Sequence, residues 1–253
     1  MTEEKLQIRI YGNDSLPTLI YLPGMHGDWT LVGGLRKQVL GKVRFVEMTY
    51  PRTLTWSLDD YAAEITSALA ANGIAHGWLL GESYGSQVLW AIVGANRFKA
   101  DGVILAGGFV RHPMRWAVRA AERLFGRLSL RVFVAVIYGF SKFARYRYHR
   151  SPEITDSLDE FVERRTKLDL QAAQHRLHLI ANYDPCPIAQ KATMPVFAMT
   201  GFLDPIVPWH FVRKWLKRNC AALRDYQIIH RADHHVLGTA PERSAGLILK
   251  WMH

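Results

Sequence analysis

The sequence predicts an α/β fold, a mostly parallel sheet flanked by helices, with a helical insertion. Three observations predict it. Short β-rich runs alternate with helical runs from the start of the chain to about Phe109. That alternation lapses between about Arg111 and Gln190, where helical stretches appear without a convincing strand. It resumes from Pro195 to Met252. Repeated strand–helix–strand units joined by short loops build parallel sheets covered on both faces.

The elements follow in order. Leu6–Tyr11 and Thr18–Leu22 are β-rich runs separated by a Gly-Asn-Asp turn, and Val43–Tyr50 is a strand closed by Pro51. Asp59–Ala71 carries Tyr61, Ile65, Ala68 and Leu69 at helical spacing, and Asn72-Gly73 stops it. His76–Leu80 is a strand, Tyr84–Ala95 a helix directly behind it, and Val103–Ala106 a further buried strand. After the insertion come strand Pro195–Thr200, helix Trp209–Asn219, strand Tyr226–His230 and helix Pro241–Met252. A chain of 253 residues, 49% hydrophobic, suits a core at 1–110 and 191–253 carrying a cap at 111–190.

Composition excludes several classes. Met1-Thr2-Glu3-Glu4-Lys5 is acidic and polar where a signal peptide would be basic and then apolar. The longest apolar run, Val132–Tyr138, falls well short of the ~20 residues that span a bilayer. Two cysteines, Cys186 and Cys220, make neither a disulfide framework nor a metal site, so a cytoplasmic location is expected. The formal charge of +10 invites anionic partners, but no nucleic-acid recognition motif accompanies it.

The sharpest local signal is Gly81-Glu82-Ser83-Tyr84-Gly85, a G-x-S-x-G sequence between a strand and a helix. A serine on that strained turn projects its hydroxyl, and the glycines leave room for neighbouring backbone. The helix N-terminus behind it favours developing negative charge. A serine hydroxyl needs a base, and that base needs an orienting acid. Asp204 lies in Gly201-Phe202-Leu203-Asp204-Pro205, at the carboxyl end of a late strand. It is preferred over Asp184 and Asp233, neither of which closes a late strand in this way. Arg231-Ala232-Asp233-His234-His235 offers two histidines for the base, while His230, inside the strand, reads as structural.

With these residues in place, the sequence resembles the α/β-hydrolase superfamily, notably hydrolases with an L-P-G-x-x-G loop and a G-E-S elbow. The resemblance covers about Leu16–Gly108 and Met194–Met252. It implies the α/β-hydrolase fold and a Ser83–Asp204–His234 triad. In that superfamily a proline opening the last helix usually comes seven residues after the catalytic histidine, and counting back from Pro241 selects His234. The resemblance also implies an oxyanion hole made by the backbone N–H groups of Tyr84 and Met25. A shifted register would put Asp28 in the place of Met25, and Gly24 and His26 are expected beside the substrate. The elbow residue is serine, not the aspartate that opens epoxides or displaces halides. Hydrolysis of a small or medium acyl ester or thioester is therefore expected, with no cofactor and no metal; the alternatives are acyl transfer or C–C hydrolysis with the same triad, and a non-catalytic binding protein of the same fold.

The cap carries Arg111, Arg115, Arg119, Arg123, Arg127 and Arg131 at four-residue spacing. Ala117, Val118, Ala121, Leu124, Phe125 and Leu128 form an apolar face between them. This pattern fits a lid over the site, its arginines solvated or paired with Glu122 and Glu163, better than a helix on an anionic membrane.

Overall fold

Consecutive apolar residues in the central strands, Leu19–Leu22, Trp78–Leu80 and Val103–Ala106, require cover on both faces of the sheet, and helices supply it. In the computed structural model, residues 5–129, 131–132, 135 and 166–253 are described. Along the chain they form β1 (Gln7–Tyr11), β2 (Thr18–Leu22), a 3-10 turn (Thr30–Val32) and α1 (Gly33–Val39). Next come β3 (Arg44–Thr49), α2 (Leu58–Ala71), β4 (His76–Glu82), α3 (Gly85–Ala95) and β5 (Lys99–Ala106). Helices α4 (Arg115–Phe125), α5 (Lys167–Asn182) and α6 (Cys186–Gln190) precede β6 (Val196–Gly201). The chain ends with α7 (Trp209–Asn219), β7 (Leu223–Ile229), α8 (Val236–Thr239) and α9 (Pro241–Met252).

The strand order is β1-β3-β2-β4-β5-β6-β7. Among the described residues only β1 is antiparallel, pairing Ile10 with Val46 of β3; the other neighbours run parallel. Strand β2 shows why both faces are buried. Its side chains alternate, so Ile20 and Leu22 join the cluster under α2 and α3. Leu19 and Tyr21 join the opposite cluster, beneath α1 and α9. Strand order reverses at β2: β3 lies on one side of it and β4 on the other. Their connections leave in opposite directions, opening a crevice at the carboxyl ends of β2 and β4, where open α/β sheets bind ligands.

Local chemistry fixes the helix starts. Ser57 accepts from the Asp60 amide at 3.2 Å while the Asp60 carboxylate accepts from the Ser57 amide at 2.8 Å, a reciprocal cap on α2. Thr166 and Asp169 repeat the arrangement on α5. Pro241 opens α9 at its first turn.

Several expectations need correcting. Helix α1 was not anticipated, because Gly33-Gly34 reads as a breaker; burial of Val32, Leu35 and Val39 overrides that weak local preference. Strand β7 ends at Ile229, so His230 lies outside it, exposed, its ring 5.4 Å from that of Phe202. Within 111–190, α4 packs on α5. Val118, Ala121 and Phe125 of α4 join the core, but Leu124 is 57% exposed and Trp116 73%. Two of the arginines are engaged otherwise than expected: Arg111 pairs with Asp184 at 2.9 Å, and Arg115 donates to the Ala181 carbonyl. Glu122 bonds His178 instead of an arginine. Glu163 and the run Val132–Tyr138, apart from Val132 and Ala135, lie outside the described residues. Among the described residues no helix is long and apolar enough to cross a membrane.

Candidate active site

The elbow is strained where the sequence places the serine. Ser83 has φ 49°, a left-handed conformation that costs a non-glycine residue about 1–3 kcal/mol. The surroundings leave it no alternative. The Ser83 amide donates to the Ala106 carbonyl at 3.1 Å, and the Ser86 hydroxyl donates to the Ser83 carbonyl at 2.6 Å. The Gln87 amide group ties the next turn to the Phe109 and Val110 carbonyls. Helix α3 begins so close to β2 that a Cβ on Gly85 would lie 2.1 Å from the Leu22 carbonyl oxygen, and one on Gly81 would lie 2.9 Å from the Gly85 carbonyl oxygen. Glycine at both positions is a steric requirement.

The three residues expected to act together meet. His234 Nε2 is 2.8 Å from Ser83 Oγ, and His234 Nδ1 is 2.8 Å from Asp204 Oδ2. Ser83 and His234 are buried, and the Asp204 side chain has no exposed surface. The second Asp204 oxygen accepts the Ile206 and Val207 amides at 2.9 Å each, so a turn-forming aspartate and an imidazole-orienting one are the same residue. Amides of Phe202 and Leu203 bond the carbonyls of Ile229 and Ala232, lashing the acid loop to the histidine loop.

The competitors are occupied elsewhere. Asp184 faces Arg111, and Asp233 accepts from the His235 amide and the Thr239 hydroxyl. His235 turns away from Ser83 towards Glu82, Nδ1 to Oε1 3.5 Å.

Glu82 is a residue the sequence reading passed over. It is 2% exposed and accepts the Tyr21 hydroxyl at 2.5 Å. Burial pushes its carboxyl up, but the His235 imidazole, the His26 imidazole and the Tyr21 hydroxyl outweigh burial and hold it down to about 2. Burial in turn lowers His235, and Glu82 more than reverses this, so His235 is raised above the ordinary histidine value. His26 sits edge-on to His235 with ring centroids 6.1 Å apart. The acidic residue inside G-E-S was the available signal. His112 was also missed; it is buried against Phe109, and burial lowers it.

The loop after β2 runs beside the elbow. Leu22 is in register with Gly81, and a Cβ on Gly24 would lie 3.4 Å from the Glu82 carbonyl oxygen. The Gly27 amide bonds the Gly24 carbonyl at 3.0 Å, closing a turn over Gly24–Gly27. The Met25 and Tyr84 amides donate to no backbone carbonyl among the described residues. The Asp28 amide likewise donates to no backbone carbonyl among the described residues, while its carboxylate caps the 3-10 turn, accepting the Thr30 amide at 3.0 Å and the Thr30 hydroxyl. Among the described residues no group of three or more His, Cys, Asp or Glu is placed to hold a metal ion.

A family model described as the alpha/beta hydrolase family matches residues 19–247. The chain belongs to the alpha/beta hydrolase family. Solved structures agree on the fold of this hydrolase. It is similar to a thermophilic esterase from Thermogutta terrifontis, at 17% identity and TM-score 0.79, covering 98% of this chain and 92% of that one. It is also similar to the esterase RhEst1 from Rhodococcus sp. ECU1013, at 18% identity and TM-score 0.76, covering 98% and 94%. An enol-lactonase from Burkholderia xenovorans LB400 matches at 16% identity and TM-score 0.77, covering 98% and 96%. A search of curated proteins finds no sequence match.

Proposed function

We propose that the protein is a serine hydrolase that cleaves small or medium acyl esters or thioesters through an acyl-enzyme. The observation that carries this reading is the continuous relay from Ser83 Oγ through His234 to Asp204, with both contacts at 2.8 Å on a serine held at φ 49°. In this scheme Ser83 Oγ attacks the acyl carbonyl carbon while His234 Nε2 takes the hydroxyl proton. Asp204 accepts from Nδ1–H, fixing the tautomer and stabilising the imidazolium. The Met25 and Tyr84 amides, without backbone acceptors, donate to the tetrahedral oxyanion. The alcohol or thiol departs with the proton from His234. Water, deprotonated by the same imidazole, then releases the acid from Ser83.

The substrate's acyl carbonyl lies in the β2–β4 crevice, with Gly24 and His26 beside it. A panel of p-nitrophenyl esters, thioesters and simple lactones tests the reading, with product analysis in the presence of an added alcohol. Acid release that vanishes in Ser83→Ala supports it. Dominant transfer of the acyl group to the alcohol at low concentration makes the protein a transferase instead.

A further inference from the structure

Arg176 lies on α5, in the segment between β5 and β6, and is 3% exposed. A guanidinium removed from water ordinarily recovers its lost hydration from a carboxylate. Among the described residues no carboxylate pairs with Arg176. Its Nη1 donates to the Met25 carbonyl at 2.8 Å, and its Nη2 reaches the Pro51 carbonyl at 3.5 Å. The guanidinium lies over the Tyr50 ring, 5.7 Å from its centroid.

The oxyanion loop is shaped to receive this side chain. Gly27 has φ +78°, and a Cβ there would lie 2.4 Å from Arg176 Nη1. The Gly27 carbonyl is held by the Tyr50 amide at 2.8 Å. Tyr50 packs edge-on to Tyr61 and Tyr84, with centroids 5.2 and 6.3 Å away. Arg176 thus caps an aromatic box whose far wall is Tyr84, the second residue expected to stabilise the oxyanion.

The consequence follows from peptide geometry. The Met25 amide belongs to the Gly24–Met25 peptide, whose carbonyl is turned inward to the Gly27 amide. The next carbonyl, that of Met25, is turned to Arg176. Anchoring two successive carbonyls fixes both peptide planes and so the direction of the N–H between them. Donors aimed before the reaction begins are worth most where water is excluded.

We propose that Arg176 is a positioning residue that acts through the Met25 carbonyl, holding the Met25 amide towards the oxyanion formed at Ser83. The inference rests on the serine-hydrolase reading above. The contacts of Arg176 are to the Met25 and Pro51 carbonyls and the Tyr50 ring, not to Ser83, His234 or Asp204.

Arg176→Met, Arg176→Gln and Arg176→Lys test it, each characterised by kcat and KM on one p-nitrophenyl ester. Fluorophosphonate labelling rate, affinity for an alkylboronic acid that forms a tetrahedral serine adduct, and melting temperature complete the set. Loss of a whole oxyanion donor costs about 10²–10³ in kcat. Misaiming one should cost Arg176→Met about 10–100-fold, with KM changed by less than about threefold. Labelling rate and boronate affinity should fall in step with kcat. Arg176→Lys, which keeps a charged donor, should recover part of the loss. If Arg176→Met does not fold, the Gln and Lys variants carry the same comparison. A lower melting temperature with wild-type kcat would overturn the proposal in favour of a structural role, and a raised KM with unchanged kcat in favour of a substrate anchor. Wild-type protein that fluorophosphonate does not label would overturn the serine-hydrolase reading itself. Labelled wild type with equally reactive variants would overturn this inference alone.

Discussion

Replacing His234 and His235 by alanine, one at a time, should produce very unequal losses of turnover. His234 bridges Ser83 and Asp204 at 2.8 Å on each side. His234→Ala leaves the serine without a base, and turnover should fall by about 10⁴–10⁶, since such a relay works as a unit. The buried Asp204 Oδ2 also loses its 2.8 Å partner, which should cost about 1–3 kcal/mol of stability, while Oδ1 keeps the Ile206 and Val207 amides. His235→Ala removes the imidazole facing Glu82, a carboxylate that is 2% exposed. The His235 side chain is itself 26% exposed and the Tyr21 hydroxyl still donates to Glu82, so a loss of about 1–2 kcal/mol is expected. At about 2–4 °C per kcal/mol for a chain of this size, melting should fall by roughly 2–8 °C. Turnover should fall less than about 100-fold. Ester hydrolysis and calorimetry on the two variants give all four quantities. Equal loss of turnover in both, or an unchanged melting temperature in His235→Ala, would refute this division of labour.

The Glu82–His235 pair also sets a pH window. Glu82 is depressed to about 2, so its stabilisation is complete above its unfolded value and is lost as pH falls from about 4.5 towards 2. His235 is raised, so its contribution is present below about 6.5 and is lost as pH rises through its folded value. Urea unfolding from pH 3 to 9 should show both limbs, and His235→Ala should flatten the alkaline one. Gly85→Ala forces a Cβ to within 2.1 Å of the Leu22 carbonyl oxygen. Overpacking of this kind costs about 1–3 kcal/mol, and ester turnover should drop with stability because the elbow and the β2 loop are pushed apart. Asp169→Ala removes the carboxylate that accepts the Thr166 amide at 2.7 Å, half of the reciprocal cap on α5, and the 2.8 Å ion pair to Arg52. A loss of about 1–2 kcal/mol is expected in urea unfolding, with the cap portion recovered by Asp169→Asn.

What the sequence made legible was whatever depends on local rules. The elbow followed from glycines that must admit backbone at van der Waals range, and Asp204 from a Gly-to-Pro loop closing a late strand. The choice of His234 over His235 came from its distance to Pro241, a family habit; the structure sets His234 2.8 Å from both Ser83 Oγ and Asp204 Oδ2. Helix α1 escaped because its two glycines argue against helix, and only burial of Leu35 and Val39 outweighs them. Glu82 and Arg176 escaped for a different reason. Their meaning lies in partners that are 153 and 151 residues away in the chain, His235 and Met25. A charged residue on a strand or helix reads as a solvated one until the fold buries it. The fates of Arg111 and Arg115 were hidden in the same way, since their partners Asp184 and Ala181 come from the far end of the insertion.

The most direct test of the central claim is intact-mass analysis after a fluorophosphonate probe, followed by peptide mapping, on the wild type and Ser83→Ala. One adduct per wild-type chain, mapped to Ser83, is expected, and none on a Ser83→Ala protein of unchanged melting temperature. An adduct on another residue, or undiminished labelling and ester hydrolysis in Ser83→Ala, would contradict that claim.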